Sequence, residues 1–288
     1  MNRNQNRFET PGAVPDEGTP AIAHAAPSQD MPGFNWAVPT EFVNLPSQGR
    51  FYPEGHPLHG VDSVEIRYMT AKEEDILTSQ ALIKKGVAIE RLLQNVIVDQ
   101  ALRVNDLLLG DKNALLVATR ITGYGADYTT NVSCPGCNNT EEYSFDLQDG
   151  EMNDVEAAVE SFGGTLTDEN TFLITLPMTN ATVECRLLTG ADENNLQKET
   201  ERKSRRNIEE SSLTDQFRAF IVSVNGDTSP LTLASFIQAM PARDSRMLRG
   251  FYAAVVPAVD LTQNYNCTSC GYTADMEVPL TVDFFWPK

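Results

Sequence analysis

Two short segments, NVSCPGCNNTEEYSFDL (131–147) and NYNCTSCGYTADMEV (264–278), decide the fold of this chain. In each segment an alternating stretch leads into a Cys-x-x-Cys turn and a second alternating stretch follows, which predicts a strand, a turn and a returning strand. Two such turns facing each other place four thiolates at one point, a tetrahedral arrangement that favours zinc, with iron a weaker candidate. We therefore predict one structural Zn²⁺ ion, bound by Cys134, Cys137, Cys267 and Cys270.

The two cysteine pairs are far apart along the chain. Between Cys137 and Cys267 lie 129 residues, against roughly 15–20 in compact zinc ribbons. We interpret this as a split ribbon with a domain inserted between its halves. Closing so long a loop costs about 4–5 kcal/mol of chain entropy, and a structural zinc site contributes on the order of 10–16 kcal/mol. The metal can therefore offset the closure.

Other interpretations of the cysteines and histidines fit less well. Two disulfides require an oxidising compartment, a thioredoxin-like pair requires a βαβ setting, and catalytic zinc keeps an open position beside His or carboxylate ligands. The fifth cysteine, Cys185, alternates with apolar neighbours, as a small buried side chain does. His56 and His59 could bind a metal as a pair, but a loop rich in Pro and Gly explains them equally well.

Upstream of the first cysteine turn, helical periodicity predominates after a short strand at about 63–69. Thr70 and Glu73 fit a capping box that begins a helix over about 71–85. A second helix is predicted over about 88–98. Asp106 and Asp111 are candidate caps for the helical pieces that follow, and Gly123 and Gly125 end the last of them.

Between the two cysteine turns the patterns are mixed. A β-hairpin is predicted from 171–177 and 181–188, and a charged helix from 190–210. SLTDQFRAFIVSV (212–224) fits a helix or a helix running into a strand. Two further helices follow, TLASFIQAM (232–240) and PARDSRMLRGFYAAVV (241–256), with Pro241 at the first helical position of the second.

These patterns predict an α+β protein with a helical N-terminal part, a split four-Cys zinc ribbon and an inserted α+β domain. The predicted divisions are a flexible Pro-rich arm (1–40), a mostly helical domain (41–125), the first ribbon half (126–150), the inserted domain (151–257) and the second ribbon half (258–288).

The charge balance limits the possible partners. Of the 288 residues, 40 are acidic and 22 basic, for a net charge of −18, which opposes general binding to a polyanionic nucleic acid. One basic stretch, KETERKSRR (198–206), is either a solvated helix face with i,i+4 ion pairs or a docking patch for an acidic partner. No apolar run is long enough to span a membrane. The N-terminus lacks the apolar core of a signal peptide, so an intracellular compartment is the default expectation.

Familiar catalytic signatures are absent from the sequence. There is no HExxH, GxSxG or GxxxxGK[ST], and no GxGxxG follows a strand. We therefore predict that the protein is not an enzyme and has no small-molecule substrate. A hydrolase with an unfamiliar site is a minor alternative.

Several segments together resemble the baseplate hub and hub-assembly proteins of T-even-like contractile-tailed phages. In chain order they are LPSQGRFYP (45–53), TAKEEDILTSQALIKKG (70–86), LLLGDKNALLVATRITGYG (107–125) leading towards CPGC (134–137), DSRMLRG (244–250) and FFWP (284–287). The resemblance covers about residues 41–288.

The resemblance implies a structural or assembly protein of a tail baseplate that binds other hub and tail proteins. It implies a protein made in the host cytoplasm and present in the virion if it is retained. The competing function is a zinc-ribbon adaptor of nucleic-acid machinery, which the acidic charge opposes.

Aromatic residues in a rigid loop and at the C-terminus are the candidate partner contacts. Aromatic anchors dominate interface energies, and a stiff loop loses little entropy on docking. The candidates are Phe51, Tyr52, Phe284, Phe285 and Trp286. The alternative for the three C-terminal residues is burial against the ribbon's own strands.

Overall fold

The N-terminal part of the protein is mostly helical and begins with a small antiparallel sheet. The computed structural model describes residues 37–206, 212–278 and 282–285, and from Val38 onward these belong to one compact unit, 38–288. Nearly all of the predicted arm, together with Trp286, lies outside the described residues. The elements of this part are β1 (Thr40–Asn44), β2 (Ser63–Arg67), α1 (Ala71–Thr78), α2 (Gln80–Lys84), α3 (Ala88–Val96), a 3-10 helix (Val104–Asp106) and α4 (Leu109–Tyr124).

The capping box predicted at the start of α1 is confirmed. The Glu73 carboxylate accepts hydrogen bonds from the Thr70 amide at 3.0 Å and hydroxyl at 2.6 Å, and it pairs with Arg67 at 2.6 Å. Burial by itself would raise the pKa of Glu73, but the hydrogen bonds from Arg67 and Thr70 outweigh it and lower the pKa to about 2. This buried carboxylate therefore ties β2 to the beginning of α1.

The single helix predicted over 71–85 is wrong in one respect, because it breaks at Ser79. The backbone of Ser79 is extended, with φ −67° and ψ 104°, and separates α1 from α2. The preceding Thr78 hydroxyl donates to the carbonyl of Glu74 at 2.9 Å. A local side-chain bond of this kind competes with the backbone ladder.

The prediction that Asp106 and Asp111 cap helices is also wrong. The residue that precedes α4 is Leu108, and Asp111 lies inside the first turn. Asp106 is the last residue of the 3-10 helix. Asp111 is fully buried, and its carboxylate serves a tertiary contact instead of the helix end.

The rest of the chain mixes short strands with helices. Its elements are β3 (Asp127–Ser133), β4 (Thr140–Asp146), a 3-10 helix (Leu147–Asp149), β5 (Glu151–Met152), α5 (Val155–Ser161), β6 (Thr165–Leu166), β7 (Phe172–Thr175), β8 (Thr182–Cys185), α6 (Gly190–Arg205), α7 (Ser212–Phe220), β9 (Ile221–Val224), α8 (Pro230–Ala239), α9 (Ala242–Val255), β10 (Val259–Asp260), β11 (Thr262–Asn266), β12 (Thr273–Glu277) and a 3-10 helix (Val282–Phe285). The predicted α+β class is confirmed.

Small antiparallel sheets organise this part. β6, β7, β8 and β9 form a four-stranded sheet in that order, and the β3–β4 and β11–β12 hairpins are separate two-stranded sheets. β5 pairs with β10, with Val259 opposite Met152 and Asp260 opposite Glu151. The chain thus leaves the first hairpin and returns to the second through adjacent strands. α7 runs directly into β9, one of the two predicted alternatives.

Pro241 precedes α9 instead of occupying its first helical position, which corrects the prediction. Its ψ of 146° is extended, and its carbonyl accepts the first helical hydrogen bond, from the Ser245 amide at 3.0 Å. This is the geometry of an N-cap residue, for which the fixed φ of proline is no obstacle.

The start of α4 packs tightly against the chain that leads into β10. A Cβ added at Gly110 would lie 1.5 Å from the carbonyl oxygen of Pro257. No side chain fits in that space, so glycine is required by close approach of two backbones. This contact holds α4 beside the strand that precedes the second cysteine hairpin.

Candidate metal centre

The first cysteine turn connects β3 to β4. The Asn138 amide donates to the carbonyl of Cys134 at 2.8 Å, and the Cys134 amide donates to the carbonyl of Asn139 at 2.8 Å. Asn138 has a left-handed φ of 57°, a conformation that asparagine tolerates better than most residues. These bonds turn the chain back within a few residues of Cys134.

The second turn repeats the first between β11 and β12. The Gly271 amide donates to the carbonyl of Cys267 at 3.0 Å, and the Cys267 amide donates to the carbonyl of Tyr272 at 2.9 Å. Gly271 has a φ of 69° and occupies the position that Asn138 holds in the first turn. The two turns therefore present their cysteines in the same local geometry.

The four sulfur atoms converge on one point. The Sγ atoms of Cys134 and Cys270 are 3.8 Å apart, as are those of Cys137 and Cys267, and all four lie within 4.8 Å of one another. Tetrahedral coordination with bonds of about 2.3 Å gives sulfur separations of about 3.8 Å, whereas a disulfide would require about 2.05 Å. The four cysteines could hold a metal ion.

Backbone amides point at the sulfur atoms. The Gly136 amide donates to Sγ of Cys134 at 3.3 Å. Desolvation raises the pKa of Cys134, but the amides of Cys137 and Gly136 outweigh it and lower the pKa to about 7. The Tyr272 amide by itself would lower the pKa of Cys270, but contact with the Cys137 thiol acts in the opposite direction, and the pKa is raised to about 12. Ionising several adjacent thiols is favourable only when a cation neutralises them, so this donor set fits a metal cation.

Polar contacts link the two hairpins beside the cysteines. Glu141 of β4 accepts from the Tyr265 hydroxyl at 2.6 Å and from the Thr268 amide at 3.3 Å. The Asn139 side chain donates to the Ser269 hydroxyl at 2.8 Å. These bonds align one hairpin on the other through groups that are not metal ligands.

Further contacts continue away from the cysteines. The Tyr143 hydroxyl donates to the carbonyl of Asn264 at 3.0 Å, and the Asp146 amide donates to the Gln263 side chain at 3.1 Å. The rings of Tyr143 and Tyr265 meet edge to face, 5.0 Å apart. The hairpins are thus joined along their length.

Residues 38–286 match a family model described as T4 bacteriophage base plate protein. The chain belongs to this family. The match begins just before β1 and covers both cysteine hairpins. No curated protein and no solved structure gives a significant match.

Family membership makes this chain a structural protein of a phage baseplate, and it bears out the resemblance to phage baseplate proteins seen in the sequence. It implies a place in the virion tail and contacts with other tail or baseplate proteins. Within the described part of this baseplate protein, no helix is long and apolar enough to cross a membrane.

The aromatic residues predicted to bind partners lie mostly inside this baseplate protein. Tyr52, Phe284 and Phe285 are buried, whereas Phe51 is half-buried and its ring lies 5.6 Å from that of Phe172. The burial of the first three supports packing within the monomer, the alternative raised for Phe284 and Phe285. Partner binding through any of these side chains, or through Trp286, stays a prediction.

The loop 45–58 is fixed on α4 through Asp111. The Asp111 carboxylate accepts from the Ser47 amide at 3.0 Å, the Ser47 hydroxyl at 2.6 Å and the Tyr52 hydroxyl at 2.8 Å. Tyr52 in turn accepts from the Leu108 amide at 3.1 Å. Burial raises the pKa of Asp111, and the hydrogen bonds from Ser47 and Tyr52 act against that shift. Two of the segments that resemble the phage family thus meet at one buried carboxylate.

The two histidines of this loop are part of its internal structure. The His56 ring stacks on Tyr52 with centroids 4.4 Å apart, and its Nδ1 accepts from the Leu58 amide at 3.1 Å. Nδ1 of His59 lies 2.7 Å from the carbonyl oxygen of Tyr52. These contacts favour the loop interpretation over a metal-binding pair.

The buried Arg120, which sequence reasoning missed, anchors the C-terminal segment. The Arg120 guanidinium donates to the carbonyls of Phe284 and Gly125, each at 2.8 Å, and the ring of Phe284 packs against Tyr128 at 5.1 Å. A lone Arg in a helical pattern gives no sign of such a partner.

Sequence reasoning also missed the buried Asp244. Its carboxylate accepts from the amides of Met178 and Thr179 at 2.8 and 3.0 Å. It fixes the turn between β7 and β8 on the beginning of α9. The acidic residue early in a predicted helix was the only available signal.

Proposed function

We propose that this baseplate protein is a structural component of the hub region that is stabilised by zinc. It acts by binding other tail proteins and catalyses no reaction. The observation that carries the proposal is the set of four free cysteines whose sulfur atoms lie within 4.8 Å of one another. Membership in the family supports a location in the baseplate. The similarity of the chain's motifs to those of hub proteins favours the hub region.

Zinc is the metal that this ligand set favours. Four thiolates in tetrahedral geometry select zinc or iron over harder cations. A zinc ion with four protein ligands keeps no position open for water or substrate. We therefore assign the ion a structural role, in which Cys134, Cys137, Cys267 and Cys270 are its ligands.

The metal would join two hairpins that are distant in sequence. We propose ribbon halves 126–150 and 258–288 with a domain, 151–257, inserted between them. The pairing of β5 with β10 brings the beginning of the inserted part beside the chain that enters the second hairpin, as an insertion between two adjacent hairpins requires. In this arrangement the ion and the contacts between the hairpins together hold the inserted part at both ends.

Metal analysis tests the zinc. We expect one zinc per chain in protein purified under reducing conditions, no zinc in a Cys267→Ser variant and full zinc in a Cys185→Ser variant. Cys185 is buried away from solvent and is the matched control. Metal-free wild-type protein, or stoichiometric iron, would contradict the assignment.

Particle analysis tests the place in the hub. A tagged chain produced during infection is expected to co-sediment with baseplates and to give extra density near the central axis in cryo-electron microscopy. Density at the periphery would contradict the hub, and absence from every baseplate intermediate would contradict the structural role. The adaptor alternative predicts recovery of polymerase subunits or nucleic acid, lost as salt concentration rises.

A further inference from the structure

The second half of α6 carries an exposed basic surface in an acidic protein. Residues 198–206 contain five basic and two acidic side chains, whereas the remaining 279 residues contain 17 basic and 38 acidic. Lys198 and Arg202 of α6 and Arg206, the residue that caps its C-terminus, follow one another at intervals of four residues, so they lie along one side of the helix. We call these three residues the α6 stripe.

This part of α6 is exposed except where Lys203 meets α7. From Gln197 to Arg206 no residue is buried, and Lys203 alone is half-buried, where it pairs with Asp215 of α7. A helix that is polar all round normally bridges to another body or depends on many ion pairs of its own. Its only intrahelical ion pair among the described residues joins Arg205 to Glu201 at 3.5 Å, so such pairs do not explain its order.

The residues of the α6 stripe make no ion pair with any other described residue. The helix macrodipole favours cations in the last turn and so accounts for Arg202 and Arg206. It does not account for Lys198, because the effect fades within about one turn. Among the described residues the charges of the α6 stripe therefore have no ion-pair partner.

We infer that the α6 stripe docks an acidic helical segment of a neighbouring baseplate protein. A four-residue interval places successive charges about 6 Å apart along the axis, which matches carboxylates at i,i+4 on a second helix. The inference names a partner surface for the proposed structural function and rests on it.

Charge complementarity selects an acidic protein over nucleic acid. A duplex carries a negative charge about every 1.7 Å and would bring its phosphates towards the rest of the chain, which is strongly acidic. A single acidic segment can contact the exposed α6 stripe alone. Salt screens exposed charges beyond about 8 Å. A segment that touches only the α6 stripe therefore feels mainly the attraction of the stripe, whereas a duplex also meets the repulsion of the acidic surface around it.

Site-specific cross-linking tests the inference. A photo-reactive amino acid replaces Arg202 in the full-length chain during infection, and mass spectrometry sequences the cross-linked peptide. Arg246, which is exposed on α9, is the control position. We expect position 202 to capture an acidic peptide of another baseplate protein and position 246 not to capture it.

Charge reversal supplies the second arm. For this arm the photo-reactive group is at Arg205, and the yield of its cross-link to the same acidic peptide is measured. The triple variant Lys198→Glu, Arg202→Glu, Arg206→Glu is expected to lower that yield about tenfold or more. A matched triple reversal of Arg243, Arg246 and Arg249 on α9 is expected to leave the yield unchanged. Equal losses would mean that net charge alone governs the contact and would overturn the inference.

The outcomes separate this inference from the proposed function. The inference is overturned, and the structural role stands, if the chain enters baseplates and position 202 captures the wrong target. Such targets are its own chain or a second copy of it, nucleic acid, a non-acidic peptide, or nothing at all. If the chain never enters baseplates, the proposed function fails and the inference fails with it.

Discussion

Replacing Asp111 with alanine tests whether one buried carboxylate fixes the loop 45–58 on α4. The substitution removes the acceptor for the amide and hydroxyl of Ser47 and for the hydroxyl of Tyr52, at 3.0, 2.6 and 2.8 Å. All three residues are buried, so water cannot readily replace the lost acceptor. The Tyr52 hydroxyl remains held by the Leu108 amide alone.

The expected loss of stability is a balance of two effects. Hydrogen bonds to a charged acceptor contribute about 1.5–3 kcal/mol each, which gives a large gross loss for three. Removing Asp111 also relieves the desolvation that raises its pKa. We expect a net loss of about 2–4 kcal/mol in the free energy of unfolding, or a fall in Tm of about 5–12 °C for a unit of this size.

Thermal unfolding followed by circular dichroism measures the effect in metal-loaded protein. Asp106→Ala is the control, because Asp106 is acidic and exposed and lies just before α4. Hydrogen exchange adds a local measurement. The amides of Ser47 and Gly49 should exchange faster in Asp111→Ala than in the control.

A Tyr52→Phe variant distinguishes a network from independent contacts. If Asp111 and Tyr52 act together, the double variant should lose less stability than the sum of the two single variants, by about 1 kcal/mol. A Tm for Asp111→Ala within about 2 °C of the wild type, with unchanged exchange in the loop, would refute the reasoning.

Three further outcomes are expected. Gly110→Ala should lower Tm by more than about 8 °C or prevent folding, because its Cβ would lie 1.5 Å from a backbone oxygen. Gly250→Ala should change Tm by less than about 2 °C, because its Cβ would lie 3.7 Å from the Phe162 ring, an ordinary van der Waals contact. Similar Tm values for the two variants would show that the backbone approach at Gly110 is loose. The folded-state pKa of Glu73 is lowered to about 2, so the stability that its carboxylate contributes is present above about pH 4.5 and is lost as pH falls towards 2. The Tm difference between wild type and Glu73→Gln should therefore shrink over that range. A constant difference would contradict the assignment. Cys267→Ser should abolish most soluble yield through loss of the metal, and Cys185→Ser should cost only about 1–3 kcal/mol; equal yields would contradict the distinction.

The sequence by itself determined the local elements of this protein. Both cysteine hairpins and the capping box at Thr70 follow from patterns that span a few residues, whereas the passage of α7 into β9 was one of two alternatives that the sequence left open. These patterns are readable because they depend on backbone geometry and on neighbours within one helical turn or one strand pair. The order of the motifs along the chain also indicates the phage baseplate family.

Only the tertiary structure decided how the buried charges are satisfied. Asp111 bonds to Ser47 across 64 residues of sequence, and Arg120 bonds to the carbonyl of Phe284 across 164. A buried charge must find hydrogen-bond partners, but spacing along the chain does not say which distant groups supply them. The same limit explains why the sequence indicated a helix cap at Asp111 and left the burial of Phe284 as one of two alternatives. Each outcome depends on which surfaces the folded chain brings into contact.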